Sequence, residues 1–448
     1  MKYLFVHGRP KESFVHRITV PSDKSISHRA IIFSSLALGK TIISNFLQAE
    51  DTLHTIQIFK DLGVKIEQKG ELIEVTGVGL KGLKQASKVL DVGNSGTGIR
   101  LILGVLAGQL FESEITGDES IQTRPMKRVV NPLLQMGASF KVMDEQGMWV
   151  NAASREQITA PLQVKGSDNL QAINYCMPVS SAQVKSAILL AGLYAKGVTT
   201  ISDPGMSRDH TERMLQHFGV SVVTEDNTIT LSPGQELVSP GKLQVPVDIS
   251  SAAFWLVLGT ILPEAKITIP GVGINPTRIG IITVLREMGA NIMLTNESQI
   301  KGEPVADITV SSSNLKAITI HGDIIPTLID EIPIIAVAAA FAQGKTIIKE
   351  AKELRVKESD RIKTTCNLLR EFGANVEELE DGLIIEGQCS LHPAQIHSSK
   401  DHRIAMSAAI MSLAIQGESS IIDVGCIKTS YPDFLNTLQL ISKGVKVL

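Results

Sequence analysis

Cations stand in this chain where helices least favour them. Lys24-Ser25-Ile26-Ser27-His28-Arg29, Asn94-Ser95-Gly96-Thr97-Gly98-Ile99-Arg100, Ser180-Ser181-Ala182-Gln183-Val184-Lys185 and Asp401-His402-Arg403 each open a stretch rich in Ala, Leu and Ile. Two more such stretches open with Asp248-Ile249-Ser250-Ser251 and Asp330-Glu331. A positive charge in a first helical turn opposes the helix dipole. Lys24, Arg29, Arg100, Lys185 and Arg403 are therefore expected to face an anion, held jointly by side chains and free backbone amides. Asp248, Ser250 and Ser95 have a plainer reading as N-caps, because their oxygens can accept from unpaired first-turn amides.

Basic residues recur in a second kind of place, the loop before an amphipathic helix. Arg124-Pro125-Met126, Arg208-Asp209-His210 and Arg355-Val356-Lys357-Glu358-Ser359-Asp360-Arg361 occupy it. A charged run is ordinarily a solvated face, but recurrence in register favours a ligand. Gly93–Gly98 lacks both the Gly-Lys-Ser/Thr ending of a P-loop and the glycine spacing of the dinucleotide fingerprint. A small anion approaching the backbone is the more economical occupant.

The elements that must position these residues repeat along the chain. Leu62-Gly63-Val64, Met136-Gly137-Ala138, Phe218-Gly219-Val220, Met288-Gly289-Ala290, Phe372-Gly373-Ala374 and, more weakly, Lys443-Gly444-Val445 read as six glycine C-caps. Each repeat carries an apolar helix, over 30–38, 99–107, 184–195, 252–262, 332–342 and 404–415. A strand follows each one, at 40–43, 113–116, 198–201, 266–269, 345–348 and 419–422. An amphipathic helix such as Thr211–Phe218 or Arg361–Phe372 then runs into its cap. Ile18–Lys24 reads as a strand leading into the first helix, with Pro246-Val247-Asp248 its counterpart.

Alternating strands and helices predict α/β architecture, six units in two domains of three. The expected division is residues 21–247 for one domain, and 1–20 with 248–448 for the other. The chain would cross between them near 20–24 and 246–248.

Composition narrows the function classes. The 448 residues are 43% hydrophobic but only 4% aromatic, so the core is aliphatic. A net charge of −3 argues against a general nucleic-acid binder. Cys176, Cys366, Cys389 and Cys426 show no metal spacing and no disulfide framework, and read as buried thiols of a reduced compartment. The opening apolar run stops at His7, Arg9 and Lys11, unlike a secretory signal. Apolar runs such as Ile332–Ala342 fall short of the ~20 residues a spanning helix needs. A cytoplasmic protein without a membrane or nucleic-acid partner is expected.

The motifs DKSISHR, GNSGTGIR, SSAQVKSA, SRDHTE, RVKESDR, DHRIAM and the segment from Lys428 to Pro432 closely resemble the 5-enolpyruvylshikimate-3-phosphate (EPSP) synthase family, the 3-phosphoshikimate 1-carboxyvinyltransferases. SAQVKSA and SRDHTE are similar to its class II bacterial subgroup. The resemblance runs from about Pro21 to Phe434. It implies the two-domain enolpyruvyl transferase fold, an inverse α/β barrel of six βαβαββ-type repeats. It also implies enolpyruvyl transfer from phosphoenolpyruvate to shikimate 3-phosphate with release of phosphate, no metal or organic cofactor, and a monomer.

Matched by motif, Lys24, Ser25, Arg29, Ser181, Gln183, Arg208, Asp330 and Lys357 fall on shikimate 3-phosphate contacts. Lys24, Asn94, Gly96, Arg124, Gln183, Arg361, Arg403 and Lys428 fall on the phosphoenolpyruvate pocket. Asp330, Glu358 and Lys24 match the proton-transfer groups, Asp330 as base and Glu358 with Lys24 as the relay to C3. Many family members carry Ser where this chain and its subgroup have Ala182, so one phosphate contact must come from elsewhere, Arg208 being the expected substitute. Since the cations come from both halves, a cleft that closes on the first ligand is expected. Glyphosate is the inhibitor the family implies, with Gly96 leaving room for it.

The sister enzyme, UDP-N-acetylglucosamine enolpyruvyl transferase, is the nearest rival, and its mobile loop typically carries a reactive Cys. Here Gly117–Arg124 has none. A non-catalytic anion-binding repeat scaffold would be marked by loss of Lys24, Asp330 or Glu358, and all three are present. Trp149, Trp255, His210 and His217 read as packing or capping residues.

Overall fold

The computed structural model describes residues 2–8, 14–300 and 302–447. Arg9 and Lys11, which the sequence sets against a secretory signal, lie outside the described residues. The chain divides into two compact units, Lys24–Val245 and Met1–Asp23 with Pro246–Leu448. It passes from one to the other at Asp23–Lys24 and at Val245–Pro246.

The inserted unit, Lys24–Val245, holds three sheets. Their strand orders are 242–244, 38–44, 72–78, 65–69; then 90–91, 112–116, 162–165, 139–143, 149–151; then 174–176, 199–202, 228–231, 222–225. In each, one edge strand runs parallel to its neighbour and the remaining pairs are antiparallel. The 242–244 strand comes from the far end of the unit and completes the first sheet, which ties the three repeats into a closed set.

The discontinuous unit repeats the plan. Its sheets are 291–300, 303–311, 266–273, 15–17; then 319–320, 345–348, 383–386, 375–378; then 395–397, 417–422, 3–8, 445–447. Here the opening segment of the chain supplies two strands, Val15–Arg17 at the edge of the first sheet and Tyr3–Gly8 inside the last.

Each sheet is followed or preceded by a helix that is buried almost all round. These are Lys24–Leu36, Gly96–Leu106, Ala182–Gly192, Ile249–Ile261, Ile332–Phe341 and His402–Ala414. A helix apolar on every side belongs inside a core, and each fully buried Leu or Ile contributes about 1.5–3 kcal/mol. Close packing needs small residues at the crossings. A Cβ on Gly104 would stand 2.3 Å from the Ala187 carbonyl oxygen of the neighbouring helix, so glycine is required there.

Some expectations are corrected. The first helix begins at Lys24 rather than Ala30, because its opening turn is polar yet still buried from Ile26 onward. Ile18–Lys24 is not a strand; it is an extended crossing whose Ser22 bridges Val247, its counterpart. Gly63, Gly137, Gly219, Gly289 and Gly373 take the left-handed cap conformation, but Gly444 does not. A Cβ there would lie 2.5 Å from the His7 carbonyl oxygen, so close approach explains that glycine. Cys176 is exposed and Cys389 and Cys426 are half-buried; only Cys366 is buried.

The helical run Gly322–Phe341 reaches 20 residues with a mean hydropathy of 1.9, longer than the apolar segment read from sequence. Short turns extend it, Asp330 and Glu331 interrupt it, and 72% of its window is buried within the fold. It is a core helix of the discontinuous unit.

Candidate active site

In the inserted unit the Gly-rich loop and the helix starts are tied by hydrogen bonds. Ser95 caps the Gly96–Leu106 helix by accepting from the Gly98 amide at 2.9 Å, and its hydroxyl contacts His28 Nε2 at 3.1 Å. Asn94 donates to Asp118 at 2.7 Å and accepts from Arg124 Nη2 at 3.3 Å. Gln183 accepts from Arg100 Nη1 at 2.9 Å and donates to Thr97 at 3.1 Å. Arg100 also donates to the carbonyls of Gly96 and Pro125. Asn94, Gly96 and Arg124 thus form one group, and Arg100 links its backbone to Gln183.

Lys24 opens the first helix and pairs with the buried Asp51 at 3.0 Å. Arg29, one turn on, donates to Thr211 at 2.8 Å, Ser186 at 2.7 Å and the Ser25 carbonyl at 3.0 Å. Ser181 caps the Ala182–Gly192 helix, and Arg208 is half-buried in the loop before His210–His217.

The first-turn cations expected to face an anion all meet protein acceptors, the buried Arg29 among them. Arg100 and Lys185 are buried, and their donors turn inward to protein acceptors. For Lys185 these are Glu212 at 2.6 Å and the Ser207 carbonyl at 3.2 Å. Buried cations must be paired, and here the partners are internal.

In the discontinuous unit one guanidinium organises the acidic residues. Arg361 is 1% exposed; it donates from Nη1 to Asp330 at 3.2 Å, from Nη2 to Glu358 at 2.5 Å and from Nε to Asp401 at 2.9 Å. Burial works against its charge, but Asp401, Glu358 and Asp330 hold its pKa above the usual arginine value. Burial likewise pushes Asp401 up, and Arg361 beside it brings the carboxyl net below its ordinary range. Lys357 approaches Asp330 at 3.5 Å, and Arg403 donates to the Asp330 carbonyl at 2.8 Å. Lys428 is exposed on the Val424–Thr429 turn and takes no part in these bonds.

The charged run 355–361 therefore splits. Glu358 and Arg361 join Asp330, while Arg355 turns to Asp360 at 2.8 Å and Glu378 at 2.6 Å, a structural task. Asp248 caps its helix by accepting from the Ser250 amide. Ser250 is not a cap: it lies within the helix, donates to Glu331 and accepts from Arg278 at 2.7 Å.

Sequence reasoning missed Arg278, which also pairs with Asp23 at 3.2 Å and Asp248 at 3.3 Å. Burial and the neighbouring Asp23 push Asp248 up to about 6. Nothing in Ile274–Gly280 marks that arginine, because its partners lie far away in sequence.

Three like sheets in each unit, set around buried helices with polar residues at or just before their starts, define the enolpyruvyl transferase fold. The chain matches the structure of the enolpyruvyl transferase NikO from Streptomyces tendae with a TM-score of 0.77, over 100% of this chain and 98% of that one. At 15% identity that likeness speaks for the fold alone. It matches the structure of EPSP synthase from Acinetobacter baumannii with a TM-score of 0.86 and 42% identity over the whole of both chains. The 3-phosphoshikimate 1-carboxyvinyltransferase of Bacillus cereus (strain B4264) is 52% identical over 427 residues, covering 95% of this chain and 96% of that protein. The namesake from Thermoanaerobacter sp. (strain X514) is 51% identical over 424 residues, covering 95% and 97%. The family model for EPSP synthase (3-phosphoshikimate 1-carboxyvinyltransferase) matches residues 9–438. This chain belongs to the EPSP synthase family.

Proposed function

We propose that the chain transfers the enolpyruvyl group of phosphoenolpyruvate to the 5-hydroxyl of shikimate 3-phosphate and releases phosphate, a step of the shikimate pathway to chorismate and the aromatic amino acids. The observation that carries this reading is the pair Asp330 and Glu358 on adjacent nitrogens of one buried guanidinium, in a chain of this family. Protonation of the phosphoenolpyruvate methylene makes C2 cationic, and the 5-hydroxyl attacks there. The hydroxyl proton passes to Asp330, and Glu358 exchanges the proton at C3. Loss of that proton expels phosphate and restores the double bond.

Two phosphates and two carboxylates must be neutralised. Arginine forks suit both groups bidentately, and the family resemblance gives Arg124, Arg361 and Arg403, with Lys24, Asn94, Gln183 and Lys428, to phosphoenolpyruvate. Ser25, Arg29, Ser181, Gln183, Arg208 and Lys357 are assigned to shikimate 3-phosphate. The same reading makes the protein a cytoplasmic monomer that needs no cofactor.

Phosphate release from phosphoenolpyruvate tests it. Release with shikimate 3-phosphate and not with UDP-N-acetylglucosamine is expected. Release only with the nucleotide sugar moves the chain to the sister activity, and silence with both in a folded sample revives the scaffold.

Glyphosate inhibition belongs to the same proposal. A Cβ on Gly96 would stand 2.6 Å from Arg124 Nη1 and 3.0 Å from Arg100 Nη1. Gly96→Ala must therefore push the Arg124 guanidinium as well as crowd the inhibitor. We expect its inhibition constant for glyphosate to rise by about tenfold or more, roughly 1.4 kcal/mol. Equal constants for the two enzymes would defeat the steric argument.

A further inference from the structure

We propose that Lys185 is a positioning residue for phosphate recognition, acting through a buried ion cluster on the segments that carry Ser181 and Arg208. The inference rests on the proposed phosphate contacts of those two residues. Lys185 lies in the first turn of the Ala182–Gly192 helix with its side chain only 3% exposed. Its ammonium meets Glu212 at 2.6 Å, the Ser207 carbonyl at 3.2 Å and Asp203 at 3.7 Å. Both carboxylates are buried as well.

Asp203 spreads the cluster outward. One oxygen accepts from the Ser180 hydroxyl at 2.6 Å and the Gly205 amide at 3.3 Å; the other accepts from the amide and the hydroxyl of Ser207. Ser180 is the neighbour of Ser181, and Ser207 is the neighbour of Arg208. Glu212 sits in the first turn of His210–His217, the helix that follows Arg208. The next residue back, Thr211, is gripped by Arg29 and Ser186.

Asp203 therefore holds one neighbour of each proposed phosphate ligand, Ser180 and Ser207, and Lys185 holds Asp203 and the Ser207 carbonyl. A loop carrying an arginine has many conformations, and each must be paid for on binding unless it is already ordered. The buried cluster supplies that order. It also accounts for a lysine in a helical first turn: the charge that opposes the dipole is answered from inside by two carboxylates.

The test is binding of shikimate 3-phosphate and of unphosphorylated shikimate to the full-length protein by calorimetry. Loosening one or two charge-assisted phosphate contacts should weaken shikimate 3-phosphate binding by Lys185→Met about tenfold or more. Shikimate affinity should change by less than about twofold, and Lys185→Arg should recover part of the loss. Lys185→Met strands two buried carboxylates, so Ser180→Ala serves where it does not fold; that variant should show the same selectivity, with a loss of about threefold to tenfold. Parallel loss for both ligands, or no loss, overturns the proposal. Arg208→Ala and Ser181→Ala separate the two levels. If neither weakens shikimate 3-phosphate binding, the phosphate assignment itself fails and the inference falls with it. If they weaken it while Ser180→Ala does not, the positioning role alone is wrong.

Discussion

Asp330→Ala is expected to abolish turnover almost completely while leaving both substrates bound and the fold intact. The side chain holds Arg361 Nη1 at 3.2 Å and Lys357 at 3.5 Å, and is partly open to solvent. Without it Arg361 keeps Glu358 and Asp401, so no buried charge is stranded. Lys357 is accessible enough to be solvated. What is lost is the group proposed to take the hydroxyl proton, and a positioned base is worth about 10²–10⁴ in rate. We therefore expect kcat to fall by that factor, with dissociation constants within about threefold of the parent, since the cations that neutralise the substrates remain. Single-turnover kinetics beside equilibrium binding reads both. Collapse of binding with unchanged turnover per bound complex would falsify the assignment.

The buried helices were legible because each is a long apolar run, and a run of that kind has one place to go. Their starts were harder. The first helix begins at Lys24, in a turn of Lys, Ser, His and Arg that precedes its apolar stretch from Ala30. The site residues were legible as types in a recurring position, but the roles of the buried cations were not. Arg100 and Lys185 look like Lys24 and Arg403 in sequence. All four find protein acceptors, and for Lys185 these are two buried carboxylates, Asp203 and Glu212, brought in by a strand and a later helix. Arg278 had no local signal at all, because Asp23 and Asp248 reach it only through the crossing segments of the chain. Charge placement in a core depends on tertiary partners, whereas helix burial is written into each segment.

Arg361→Met is expected to destabilise the discontinuous unit more than any other single change at the site. Asp401 has no exposed surface, caps the His402–Ala414 helix through the Arg403 amide at 2.9 Å, and accepts from Ser359 at 3.0 Å. Removing its arginine leaves that carboxylate buried without its cation, and breaking a buried pair in this way costs about 3–5 kcal/mol. The pH dependence fixes the cause. In the parent, Asp401 is held below its ordinary range, so its contribution is present above the unfolded value of about 3.9 and is lost as pH falls through the folded one. In the variant the largest charge opposing burial is gone, leaving His402 and the Ser359 and Arg403 donors against it, and the same carboxyl rises. The folded state then binds the proton more tightly than the unfolded state, and the deficit shrinks as pH falls from neutrality towards the unfolded value. Urea unfolding at neutral and mildly acid pH measures this directly. A deficit that stayed constant between the two would mean that lost packing, rather than a stranded Asp401, sets the stability of this unit.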